Sequence, residues 1–297
     1  MPRLSVLDLH SNQLGHEIPL PPETAIYVDY SSNNFTTIPG EIGNGVSSAN
    51  FFSLANNAIT GPITRSICNG SNLRVLDLSN SMLSGTIPQC LTENCTETLG
   101  VLNLGNNNLS GNIFGIFPQA CVLKTLDLEG YVPESLSNCA MLEVLNLGSN
   151  NMNGNFTCFL KNSSNLRVLV LQSNIFRGGI RCPELNTSTW PKLQIIDIGL
   201  NKFCGDLHPK FFLHWNAMMI GRSNSHLRYE FLKLNNFYYQ DKVTLTLKGL
   251  EMKLVKILTL FTAIDFSGNN FEGEIPDIIG ALSSLHVLNL SRNALSG

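Results

Sequence analysis

The stretch Leu142-Glu-Val-Leu-Asn-Leu-Gly-Ser-Asn-Asn-Met-Asn-Gly154 recurs at Leu166–Gly178 and at Leu285–Gly297. Its general form is LxxLxLxxNxLxGxIP, in which x is any residue. The spacing of copies is most often 24 residues; the other spacings are 19, 21, 26, 27 and 68. A fixed period of this size indicates a chain built from stacked coils. The third apolar residue of each copy is Leu9, Tyr30, Leu54, Leu78, Leu104, Leu128, Leu147, Leu171, Ile198, Phe266 or Leu290.

Each copy predicts one short β-strand followed by a turn. The alternating leucines would point into the coil and the residues between them outward. Because a single coil cannot bury its apolar side alone, the coils must stack and share one core. The turn asparagine is predicted to be a buried amide that satisfies backbone groups. These asparagines are Asn12, Asn33, Asn57, Asn107, Asn150, Asn174, Asn201, Asn269 and Asn293.

Composition narrows the function classes. Only 14% of the residues are charged and the net charge is -3, which argues against nucleic-acid binding. The sequence shows neither a secretory leader before the first repeat nor an apolar run long enough to span a membrane, so we expect a piece of a longer protein. Asn-X-Ser/Thr acceptor sequences nevertheless favour an extracellular setting. They begin at Asn34, Asn69, Asn94, Asn108, Asn155, Asn162, Asn186 and Asn289.

The eight cysteines also fit an oxidising compartment. Residues one period apart stack on neighbouring coils at about 5 Å, which is disulfide distance. This register predicts three pairs and leaves Cys139 and Cys204 unassigned, with Cys182–Cys204 as a competing pair. The Cys and His residues are not clustered, so neither a metal site nor a cofactor is predicted. The predicted pairs are Cys68–Cys90, Cys95–Cys121 and Cys158–Cys182.

The pattern LxxLxLxxNxLxGxIP resembles the plant-specific class of extracellular leucine-rich repeats. That class includes receptor-like proteins, receptor kinases and secreted polygalacturonase inhibitors. The resemblance implies a leucine-rich-repeat solenoid, an α/β-type curved superhelix with short parallel β-strands on its concave face. It also implies binding as the function, and we expect no enzymatic activity because no nucleophile or acid–base pair has a recognisable setting.

The spacing of 68 between Ile198 and Phe266 indicates an insert of about 44 residues beyond one repeat. Tyr239 and the Lys248-Gly249 pair resemble the island segment of plant receptor-like proteins. The alternating residues from Val243 to Leu247 predict a strand within it. We therefore expect about nine repeats in residues 1–209, an island insert in 210–260, and two repeats in 261–297, the last one truncated.

The resemblance identifies the chain as part of the ligand-binding ectodomain of a plant receptor-like protein. It implies an extracellular peptide or protein ligand, receptor kinases as co-receptors, a role in defence signalling, and a place on the outer side of the plasma membrane. A secreted polygalacturonase inhibitor and the ectodomain of a receptor kinase are the alternatives. Outward strand positions that vary between coils are the predicted contacts, namely Arg74, Lys124, Glu129, Glu143, Arg167, Gln172, Gln194 and His286.

Overall fold

The computed structural model describes residues 3–93, 98–110, 117–128, 133–181, 190–219, 239, 243–247, 250–254, 257 and 260–297. The chain forms two compact units, Met1–Cys139 and Ala140–Gly297. Each unit is a stack of coils, which confirms the predicted leucine-rich-repeat solenoid. Among the residues just given, no helix combines the length and apolar character that crossing a bilayer requires.

The first unit is built on six parallel strands in chain order. The middle residue of each strand points into the coil, and Val28, Phe52, Leu76, Leu102 and Leu126 are completely buried. Neighbouring strands pair without offset, so that Leu76 lies beside Leu102. The apolar alternation of the sequence is thus the alternation of the strand. The strands are Val6–Asp8, Tyr27–Asp29, Phe51–Ser53, Val75–Asp77, Val101–Asn103 and Thr125–Asp127.

The second unit repeats this arrangement with five parallel strands. Ile196 pairs with Ile264, although the whole insert separates them in sequence. The insert therefore leaves the solenoid after one strand and returns before the next, without interrupting the ladder. The strands are Val144–Asn146, Val168–Val170, Ile195–Asp197, Ala263–Asp265 and Val287–Asn289.

A second set of short strands follows the turn of each coil. In the first unit these are Gly15–Glu17, Asn34–Thr37, Thr60–Pro62, Met82–Gly85 and Asn108–Leu109, and in the second Asn153–Gly154, Ile175–Gly178, Lys202–Asp206, Asn270–Glu274 and Ala294–Ser296. The α-helices are Ile42–Gly45, Cys90–Glu93 and Asn216–Met219. The 3-10 helices are Arg65–Asn69, Glu134–Asn138, Cys158–Asn162, Pro209–Phe211 and Asp277–Ala281.

The turn asparagines have the role that the sequence predicts. Asn174 donates its side-chain N–H groups to the carbonyls of Leu147, Leu171 and Gln172 at 2.8, 3.0 and 3.1 Å. Its Oδ1 accepts the N–H of Met152 at 2.9 Å. One amide thus ties two coils together, and Asn33, Asn57, Asn107, Asn201, Asn269 and Asn293 bond in the same way. The expectation of burial is confirmed for Asn33, Asn107, Asn174, Asn201 and Asn269. It is wrong for Asn12, which is exposed in the first coil, and Asn57, Asn150 and Asn293 are half-buried.

The first residues of the insert pack as part of the solenoid. Trp215 and Met218 are completely buried, and the carbonyl of Met218 accepts the N–H of Ser284 on the next coil. Residues as far as Met219 therefore continue the packing of the preceding coil. Farther on, Val243–Leu247 is a strand, as predicted, and it pairs antiparallel with Leu250–Leu254.

One predicted cysteine pair is confirmed and another is wrong. Cys68 pairs with Cys90, as expected, but Cys121 pairs with Cys139 and not with Cys95. The cause is the short coil between Leu128 and Leu147, whose period of 19 makes a separation of 18 residues equivalent to one coil.

The two remaining cysteine predictions both involve Cys182. Cys204 is a free, exposed thiol, so the alternative pair Cys182–Cys204 is wrong. Cys158 is disulfide-bonded, whereas its predicted partner Cys182, like Cys95, lies outside the described residues.

Candidate functional site

Each coil contributes one strand to the parallel ladders that run from Val6–Asp8 to Val287–Asn289. The first and third residues of these strands point away from the core and form what we call the strand face. The third residue is usually Asp or Asn, and its side-chain oxygen accepts the N–H two residues later. Asp77 accepts from Ser79 at 3.1 Å and Asn146 accepts from Gly148 at 3.1 Å. This bond closes the turn after the strand and explains why a polar residue recurs at this position in most repeats, although Val170 occupies it in one coil. The recurring acidic column is thus part of the coil architecture.

The strand face of the first unit carries an aromatic pair beside a polar trio. The rings of Tyr27 and Phe51 stack with centroids 4.4 Å apart. Nδ1 of His10 lies 2.6 Å from Oδ1 of Asp8, and Asp8 pairs in register with Asp29 on the adjacent strand. The hydroxyl of Tyr27 lies 3.4 Å from Oδ2 of Asp29. Phe51 is buried beneath this stack, and the half-buried Tyr27 shares this part of the face with the charged groups.

The carboxylates of Asp8 and Asp29 affect the pKa values of His10 and Tyr27. The hydrogen bond to Asp8 raises the pKa of His10, while burial and the negative charges of Asp29 and Asp8 raise the pKa of Tyr27 to about 12. One potential ligand atom from each of Asp8, His10 and Asp29 lies within 4.8 Å of the others. These groups could converge on a divalent cation, but exposed acidic groups are also common without one. The sequence analysis did not identify this trio, because its members come from two different coils.

The predicted contacts of the first unit lie just before their strands. Arg74 is exposed and precedes the Val75–Asp77 strand, and Lys124 is half-buried before Thr125–Asp127. Glu129 lies outside the described residues. The two cations therefore border the strand face at equivalent positions two coils apart.

Two predicted contacts of the second unit form an ion pair. Nε of Arg167 lies 3.4 Å from Oε2 of Glu143, and Nη1 of Arg167 donates to Oε1 of Gln194 at 3.3 Å. Gln194 and Gln172 are only 2% and 7% exposed, so both are removed from the accessible surface. His286 is exposed, and its ring lies next to that of Phe261.

The strand face of the second unit also holds two buried acids. Asp197 and Asp265 pair in register and are 1% and 3% exposed, whereas Asp29, Asp77 and Asp127 at the same repeat position are half-buried. Oδ1 of Asp265 accepts from the N–H and hydroxyl of Ser267, and its Oδ2 accepts from Asn289 at 2.8 Å. Asp197 accepts the N–H of Gly199 through Oδ1, and its Oδ2 has no hydrogen-bond partner among the residues that the structure describes.

Burial has a large effect on Asp197. It raises the pKa of this carboxyl to about 8, and the negative charge of Asp265 adds to the effect. The hydrogen bond from Gly199 opposes the shift. Asp197 is therefore a neutral acid at pH 7, which the sequence did not predict because its repeat position resembles all the others.

The return of the insert covers this part of the face. Ile257 is 1% exposed and belongs to one apolar cluster with Val144, Val168, Val170, Ile195 and Ala263. Leu254, Phe261 and Val287 pack against that cluster. Val170 is the register partner of Asp197 and Ile195 lies two residues before it on the same strand, so members of the cluster are next to the acid. Of the predicted island residues, Tyr239 is buried, while Lys248 and Gly249 lie outside the described part.

The acceptor asparagines have different surroundings. Asn34, Asn69, Asn108 and Asn155 are exposed. Asn289 is half-buried on the strand face and donates to Asp265. Asn94, Asn186 and the side chain of Asn162 lie outside the described part. Glycosylation of these sites stays a prediction.

The sequence of the chain is similar to those of known proteins. The Leucine Rich Repeat family matches residues 72–94, 98–120 and 261–282. The chain is 42% identical to Receptor-like protein 35 of Arabidopsis thaliana, over 96% of this chain and 31% of that protein. It therefore spans about a third of the length of this relative.

Solved structures agree on the fold. The ectodomain of the Arabidopsis receptor kinase HAESA, in complex with an extended IDA peptide hormone, superposes with a TM-score of 0.70 at 22% identity over 97% of this chain and 42% of that one. HAESA with IDA and the co-receptor SERK1 gives 0.65 at 24% identity, over 98% and 46%. The chain thus belongs to the leucine-rich-repeat proteins and is a relative of the plant receptor-like proteins.

Proposed function

We propose that this chain is part of the ligand-binding ectodomain of a plant cell-surface receptor-like protein. The observation that carries the proposal is the 42% identity to Receptor-like protein 35 over nearly the whole chain, including the insert. The strand face supports it, because it offers the half-buried ring of Tyr27, exposed charges and outward side chains that differ between coils. A surface of this kind suits an extended peptide or protein ligand.

The partner classes follow from the same relationship. HAESA has the same fold, and its structure holds a peptide hormone together with the co-receptor SERK1. By analogy, the ligand of this chain is an extracellular peptide, and its signalling partners are receptor kinases at the outer side of the plasma membrane. The chain contributes binding and no catalysis. The secreted polygalacturonase inhibitor is the weaker alternative, since the related protein is a receptor-like protein.

A selection from a displayed peptide library tests this proposal. The purified 297-residue chain is the bait, and the same chain after reduction and denaturation is the control. We expect peptides that bind the folded chain at least tenfold more tightly than the denatured chain, and no inhibition of microbial polygalacturonases. Failure to select any fold-dependent peptide, or strong inhibition of a polygalacturonase, would contradict the proposal.

A further inference from the structure

The described acceptor asparagines fall into two groups by their place in the coil. Asn34 and Asn108 are first residues of second-set strands, each directly after a turn asparagine, and so hold the same repeat position in two coils. Asn69 ends a 3-10 helix, and Asn155 directly follows another second-set strand. These four are exposed and lie off the strand face. Asn289, in contrast, is a third strand residue and lies on the strand face.

Both ends of the Asn289 amide are engaged in the folded chain. Its Nδ2 donates to Oδ2 of Asp265 at 2.8 Å, and its Oδ1 accepts the N–H and the hydroxyl of Ser291 at 3.2 and 2.8 Å. A sugar on Nδ2 would replace one of its hydrogens and set a bulky group beside Asp265, which is only 3% exposed. The packing of the strand face therefore disfavours a glycan at Asn289.

Elsewhere on the strand face, the sequence combines residue types in a way that avoids acceptors. Ser stands two positions after the third strand residue in three coils where that residue is Asp, whereas Gly stands there in the coils of Asn103 and Asn146. The turn bond does not require this division, because Ser291 donates its N–H to Asn289 as the serines of the Asp coils do. Among the strands of the two ladders, Asn followed by Ser at this spacing occurs once, at Asn289. The Asp–Ser pairs are Asp29–Ser31, Asp77–Ser79 and Asp265–Ser267.

We propose that the strand face is the carbohydrate-free face of the chain, with glycans at Asn34, Asn69, Asn108 and Asn155 and an unmodified Asn289. The proposal rests on the proposed function, because N-glycans are added to chains that are secreted or reach the cell surface. Carbohydrate at Asn34 and Asn108 covers second-set strands of the first unit. A peptide or protein partner then reaches the strand face without displacing a glycan.

Mapping of the modified asparagines tests the proposal. The 297-residue chain is secreted from plant cells behind a cleavable leader, and enzymatic deglycosylation in heavy-oxygen water labels each asparagine that carried a glycan. We expect the label at the four exposed asparagines and not at Asn289.

Two variants place the same acceptor tripeptide on different faces. Asp77→Asn creates Asn-Leu-Ser on the strand face, and Met82→Asn creates Asn-Leu-Ser at the start of the second-set strand Met82–Gly85. Asn289 begins the same tripeptide, so a preference of the glycosylating enzyme for its sequence cannot separate the three sites. We expect the label at position 82 and not at position 77 in the secreted chains.

The remaining outcomes overturn the proposal. A label at Asn289 or in Asp77→Asn, at a level similar to that in Met82→Asn, shows that the strand face accepts carbohydrate. Secreted chains without label at Asn34 and Asn108 show that the second set of strands is not glycosylated. If Asp77→Asn is not secreted, Asn289 and Met82→Asn still decide the question. The peptide selection described above needs no glycan, so its failure counts against the proposed function and is distinct from these outcomes.

Discussion

Asp197 and Asp265 lie side by side on parallel strands that the insert separates in sequence, and both are almost fully buried. They differ in their hydrogen bonds. Asp265 is bonded through both oxygens, whereas Asp197 is bonded through one. The same repeat position thus holds an acid with partners for both oxygens in one coil and an acid with a partner for one oxygen in the neighbouring coil.

The first prediction concerns stability against pH. Because burial raises the pKa of Asp197 from 3.8 to about 8, the folded chain keeps a proton that the unfolded chain releases. The stability of the chain should therefore fall as pH rises from 4 to 8 and then level off. Asp197→Asn should raise the free energy of unfolding at pH 8.5 by up to about 6 kcal/mol and leave it nearly unchanged at pH 4.

Urea unfolding at the two pH values measures this difference. Asp77→Asn is the control. The change that this substitution makes in the free energy of unfolding should differ much less between the two pH values, since Asp77 is half-buried. A stability gain in Asp197→Asn that is the same at pH 4 and pH 8.5 would rule out protonation as its cause.

The second prediction concerns the asparagine that joins two coils. Asn174→Ala removes three donated bonds and leaves the N–H of Met152 without its acceptor. We expect the free energy of unfolding to fall by about 3 kcal/mol, because the freed backbone groups are buried. Asn153→Ala is a suitable control, as the Asn153 side chain is exposed. Equal effects of the two substitutions, measured by denaturant titration, would mean that the amide is not the link between coils.

The third prediction concerns the disulfides. Peptide mapping without reductant should find a bridged peptide that contains Cys121 and Cys139, and an alkylating reagent should modify Cys204 in the folded chain. Replacing Cys121 and Cys139 together by Ala should lower the free energy of unfolding by about 3 kcal/mol, the usual effect of closing a loop of this size. A bridge between Cys95 and Cys121 would contradict the assigned pairing.

The repeat architecture could be predicted because the same pattern of apolar residues and asparagine recurs in nearly every coil. Leu76, Leu102 and Asn174 each occupy a repeat position that fixes their orientation, and the structure places them accordingly. The strand at Val243–Leu247 was equally readable from its alternation.

The sequence could not predict features that depend on the residues packed against the strand face or on contacts between coils. Asp197 and Asp77 have the same repeat position, but Asp197 is 1% exposed next to an apolar cluster whereas Asp77 is half-buried. Gln194 is inaccessible partly because it bonds to Arg167, a residue of the previous coil. Cys121 was assigned wrongly because a period of 24 was applied across a coil of 19.

The central claim is that the chain binds a peptide through its strand face. The most direct test is the affinity of a library-selected peptide for two variants with equal changes of charge. One carries Arg74→Glu and Lys124→Glu beside the strand face, and the other carries Arg177→Glu and Lys202→Glu on the second set of strands.

Titration calorimetry of both variants and of the unchanged chain gives the answer. We expect the strand-face variant to bind at least tenfold more weakly and the second variant to bind as the unchanged chain does. Loss of binding in the second variant, with full affinity in the strand-face variant, would contradict the claim.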